Sequence, residues 1–110
     1  MTVASDPVLV ERREAAALVT LNRPEKHNAL SLDLLARLQA LLRSLGEDAG
    51  VRVVVLRGNE RCFSTGMDLD DLAGVHGVGE MQRVLTLVRD ANAAIERCPK
   101  PVVAAIADGA

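Results

Sequence analysis

Residues 51–58 read "VRVVVLRG", a run that is almost wholly apolar and alternates little. Such a run suits a β-strand covered on both faces, the pattern of a parallel sheet flanked by helices. A second run of this kind, Val102 to Ile106, sits in "KPVVAAIADGA". The segments around these two runs show a different period. Ser31 offers an N-cap with Asp33 in the first turn, and Leu34, Leu35, Leu38, Leu41, Leu42 and Leu45 follow the helical repeat as far as Gly46. A second helix is predicted from about Glu80 to Cys98, with Met81, Val84, Leu85, Val88, Ala91, Ile95 and Cys98 on one face and Pro99 closing it. Upstream, Val8–Arg12 and Ala16–Leu21 flank a short polar break, as in an antiparallel hairpin. The order is hairpin, helix, strand, helix, strand, which defines an α/β layered fold with right-handed crossovers.

Composition narrows the function classes. The 110 residues are 49% hydrophobic and 25% charged with net charge −2, so no global attraction to nucleic acid or an anionic membrane is expected. Phe63 is the single aromatic residue, which argues against base-stacking platforms. No stretch approaches the roughly 20 apolar residues of a membrane span, and "MTVASDPV" lacks the basic flank of a signal peptide. A cytoplasmic location follows as the expectation. Cys62 and Cys98 lie far apart among apolar neighbours and read as buried free thiols. His27 and His76 occupy separate loops without metal-ligand spacing, so no metal site is expected. "GVHGVGEM" places Gln82 where a dinucleotide-binding fingerprint needs its third glycine, which removes that reading.

Two loops stand out between these elements. In "NRPEKHNAL", Asn22, Pro24 and Asn28 mark an ordered loop after the hairpin. In "CFSTGMDLDDL", Ser64, Thr65 and Gly66 are small enough for a ligand to approach the backbone. Asp68 is placed to cap a short helix, Leu69 to Ala73, with Asp70 and Asp71 in its opening. The amide of Met67 then points outward just before a helix start, where unpaired N–H groups favour negative charge. A capped loop-to-helix junction accounts for the same residues without any ligand.

Taken together, "LNRPEKHNAL", "RVVVLRG", "CFSTGMDLDDL" and "KPVVAAI" resemble, in order and spacing, the first part of the crotonase superfamily, the enoyl-CoA hydratases and isomerases. The resemblance implies a spiral of repeated ββα units, of which residues 1–110 hold an incomplete, N-terminal portion: a partial acyl-CoA-binding domain. It implies an acyl-CoA thioester as substrate, with coenzyme A entering only as part of it and no separate cofactor. It also implies that the backbone N–H of Met67 is one of two oxyanion donors, and that Lys26, Ala29, Ser64, Gly66, Asp68 and Leu69 line the CoA path. The reaction expected of the family is hydration of a trans-2-enoyl-CoA through a stabilised thioester enolate. The second donor glycine and the catalytic carboxylates fall, by the same match, beyond Ala110, so residues 1–110 alone are expected to be inactive. Ala107 and Asp108 also delay Gly109 by one residue relative to the family pattern. The competing expectation is a non-catalytic, truncated remnant or interaction module that pairs with a full-length crotonase-like protein. Trimers or hexamers are the assembly expected of full-length family members.

Overall fold

The computed structural model describes residues 6–26, 28–58, 64, 74 and 76–105. The hairpin forms as the alternation requires: β1 (Val8–Arg13) pairs antiparallel with β2 (Ala16–Leu21), in a register that sets Val8 opposite Leu21 and Arg13 opposite Ala16. Glu14 turns the chain with φ of 55°. After the loop comes α1 (Leu32–Glu47), then β3 (Val53–Arg57), α2 (Gly77–Arg97) and β4 (Val102–Ala105). The four strands lie in one sheet in the order β1-β2-β3-β4, and β2, β3 and β4 run parallel. Each parallel connection crosses back through a helix, the α/β arrangement that the apolar runs imply.

One face of the sheet meets the core. Ala17, Val19 and Leu21 of β2 alternate into it, joined by Val54 and Leu56 of β3. From α1, Leu34, Leu38, Leu42 and Leu45 close over them. Burying a leucine is worth roughly 1.5–3 kcal/mol, so this stripe outweighs any difference in intrinsic helix propensity along α1. Ser31 caps the helix as expected: its Oγ accepts the Leu34 N–H at 3.0 Å.

The structure corrects several expectations. On β3, Val54 and Leu56 are buried on one face, whereas Val53 and Val55 on the other are only partly buried. β4 departs further, since Val103, Ala104 and Ala105 are all exposed. In α2, Val84 and Ala91 are buried, whereas Met81 and Leu85 face solvent. That helix also begins at Gly77, whose φ of 83° requires glycine, and Glu80 reaches back to accept the His76 N–H at 2.6 Å. Cys98 is free but half-buried, not buried. The expected short helix Leu69–Ala73, like Cys62 and His27, lies outside the described residues.

At the amino ends of the parallel strands a polar cluster joins three connections. The Arg12 guanidinium meets Asp48 at 2.8 Å, and Asp48 Oδ1 accepts the Gly50 N–H at 2.8 Å. Lys100 Nζ donates to the carbonyls of Asp48 and Val51, both at 2.6 Å. The Gly50 amide holds the Asp48 carboxyl below its ordinary pKa, with partial desolvation opposing and Arg12 assisting. No helix among the described residues is long and apolar enough to cross a membrane.

Candidate functional site

The carboxyl ends of parallel strands are where α/β sheets present ligand sites, because the loops that leave them open into a common crevice. Here the loop that follows β2 carries Lys26 and Ala29, and the segment that follows β3 carries Ser64. The two are tied directly. Ser64 Oγ donates to the Asn28 carbonyl at 2.8 Å across 36 residues of sequence.

Asn28 organises the first loop. It is fully buried, with φ of 56°, a left-handed conformation that Asn tolerates better than most residues. Its side-chain Oδ1 accepts the Arg23 N–H at 2.7 Å, and its own N–H donates to the Arg23 carbonyl at 2.8 Å. From the other side, Arg23 Nη1 donates to the Ala29 carbonyl at 2.7 Å. A single 3₁₀ turn, Pro24–Lys26, fills the space between. Its closing bonds run from the Lys26 N–H to the Arg23 carbonyl and from the Ala29 N–H to the Lys26 carbonyl, both 3.0 Å. These bonds fix the backbone on either side of Lys26 while its side chain stays exposed. An exposed ammonium on an ordered loop suits an anionic group such as a phosphate.

Of the residues expected in the site, Lys26, Ala29 and Ser64 are therefore brought to one end of the sheet. Gly66, Met67, Asp68 and Leu69 lie outside the described residues. Sequence reasoning missed Arg23 and Asn28 as the pair that shapes the loop. The signal was present in Asn28, a residue that favours left-handed positions, between a proline turn and a helix cap.

A separate cleft of about 480 Å³ opens between the carboxyl halves of α1 and α2, where Leu42, Arg43, Glu47, Ala94, Arg97 and Cys98 line it. None of the residues expected in the site borders it.

The element order and sheet topology are those of an incomplete crotonase-type α/β fold. The chain belongs to the enoyl-CoA hydratase/isomerase family, whose pattern it matches over residues 11–110. A probable enoyl-CoA hydratase of Mycobacterium leprae is 38% identical over 100 residues, which cover 86% of this chain and 34% of the relative. The 3-hydroxyisobutyryl-CoA hydrolase 1 of Arabidopsis thaliana is 42% identical over 62 residues, covering 56% of this chain and 16% of its own length. Among solved structures, an enoyl-CoA hydratase of Bacillus anthracis superposes with a TM-score of 0.85 at 34% identity, over 91% of this chain and 39% of that one. An enoyl-CoA hydratase/carnithine racemase of Magnetospirillum magneticum gives 0.88 at 32% identity, over 93% and 39%. The chain thus spans roughly a third to two-fifths of the relatives that it matches along most of its length.

Proposed function

We propose that residues 22–30 and 64–69 form the CoA-binding half of a thioester site, in a protein of enoyl-CoA hydratase/isomerase type. The observation that carries this reading is the Ser64–Asn28 hydrogen bond, which joins the two family motifs at the carboxyl ends of β2 and β3. In this reading Lys26 meets phosphate of the CoA moiety. Ala29, Ser64, Gly66, Asp68 and Leu69 line the path toward the thioester, and the Met67 N–H donates to its carbonyl oxygen. A preorganised donor of that kind is worth roughly 10²- to 10³-fold in rate when it acts where charge develops. The family reaction is addition of water across a trans-2-enoyl-CoA. It also needs a positioned acid and base within hydrogen-bond reach of the transferred proton. The reading assigns neither part to Asp68, Asp70 or Asp71, and on it residues 1–110 bind thioester without hydrating it.

Calorimetric titration tests the reading. Crotonyl-CoA should bind more tightly than free CoA, Lys26→Glu should weaken both ligands, and Met67→Pro should remove the preference for the thioester. Equal affinity for CoA and crotonyl-CoA, unchanged by Met67→Pro, would remove the oxyanion role. Hydration of crotonyl-CoA by the 110-residue protein above the buffer rate would overturn the statement on turnover.

A further inference from the structure

Arg23 stands at the entry of the loop that carries Lys26, and it is tied to that loop in two different ways. Its backbone makes bonds that any residue but proline could make. The N–H donates to Asn28 Oδ1 at 2.7 Å, and the carbonyl accepts the N–H groups of Lys26 at 3.0 Å and Asn28 at 2.8 Å. The other tie belongs to the side chain. Half-buried Arg23 sends Nη1 to the Ala29 carbonyl at 2.7 Å, six residues further along the chain. Ala29 is followed by Leu30 and by Ser31, the N-cap of α1, so this bond fastens the entry of the loop to its exit into the helix. Lys26 sits between the two fastened points, on the 3₁₀ turn Pro24–Lys26, with its side chain exposed.

A charged donor makes a stronger hydrogen bond to a carbonyl than a neutral one, and a guanidinium keeps its charge throughout the physiological pH range. Such a clamp alters affinity without touching a ligand. A side chain carried on an ordered backbone loses less freedom on binding than one carried on a mobile loop. Resting on the reading that Lys26 meets phosphate of CoA, we infer that Arg23 is a positioning residue of that site, whose guanidinium acts on CoA through Lys26. Arg23 holds the Ala29 carbonyl, that bond sets the span of the loop, and the span sets where the Lys26 ammonium is presented. Direct contact between Arg23 and the same phosphate is the rival role, and it would add to Lys26 instead of acting through it.

The test is a double-substitution cycle read by calorimetric titration of the 110-residue protein with free CoA. Free CoA has no acyl group, so the Met67 donor does not enter. Arg23→Met and Lys26→Met should each weaken CoA roughly tenfold, and with Lys26→Met already in place Arg23→Met should cost less than about threefold more. Arg23→Lys keeps one charged donor for the Ala29 carbonyl and should recover most of the loss. Circular dichroism checks that each variant is folded; if Arg23→Met is not, Arg23→Gln takes its place in the cycle with the same expected coupling. Losses that multiply in the double variant would overturn the inference, because a direct ligand contact or a reduced folded fraction acts alike in both backgrounds. Full CoA affinity in the folded Arg23 variant would overturn it too. No binding of CoA by the unsubstituted protein would remove the Lys26 reading and this inference with it, whereas failure of the Arg23 arm alone leaves that reading standing.

Discussion

Asn28 ties backbone conformation to site assembly in a single residue. Its positive φ, its contact with Arg23 and its link to Ser64 contribute through different terms, and substitutions separate them. Asn28→Gly keeps the conformation and loses a hydrogen bond worth about 1 kcal/mol. Asn28→Ala loses the same bond and adds a left-handed cost of roughly 1–2 kcal/mol. Chemical denaturation should therefore rank wild type above Gly and Gly above Ala; equal losses would show that φ contributes nothing. Ser64→Ala should cost about 1 kcal/mol and loosen the joint between the loops. Asp48 adds a pH dependence. Its carboxyl is held below the ordinary value by the Gly50 amide first and by Arg12 second. The folded state then favours the ionised form. That contribution is complete above the ordinary carboxylate range and disappears as pH falls through the lowered value. In Asp48→Asn, the acid side of the stability-versus-pH curve should flatten; an unchanged acid limb would contradict the assignment.

The secondary elements were legible where local chemistry specifies them. Ser31 and the leucine repeat placed α1, and the β-branched pairs around a polar break placed the hairpin. The sequence reading was less good where burial depends on what lies across the fold: the apolar runs at β3 and β4 do not reveal that Val53 and Val55 are only partly buried and that Val103, Ala104 and Ala105 are exposed. Motif resemblance pointed to the two loops that carry Lys26, Ala29 and Ser64, which the structure brings to one end of the sheet; the Arg23–Asn28 pairing was signalled only by Asn28's tolerance of a left-handed conformation. Lys100 gives the long-range counterpart. It supplies the cation at the end of α1, whose last turn has no basic residue of its own, from 52 residues away. Lys100→Met should leave two carbonyls without this donor and cost roughly 1–3 kcal/mol. In a domain of this size that lowers the melting temperature by several degrees. A melting temperature within a degree of wild type would show that water replaces the ammonium.

At the scale of the whole molecule, the parallel strands divide the labour between two ends. Their amino ends are fastened by Arg12, Asp48 and Lys100; from their carboxyl ends leave the loops that Ser64 and Asn28 join. Stability substitutions at the first end should leave ligand affinity unaltered, while changes at the second should alter both. The α1–α2 cleft is the rival location for a small ligand, and its lining shares no residue with the proposed site. Amide-resolved NMR titration of the 110-residue protein with crotonyl-CoA separates the two most directly. The account predicts shifts concentrated at the amides of Lys26, Ala29, Ser64 and Met67. Shifts confined to Leu42, Arg43 and Ala94, or none at saturating ligand, would contradict it.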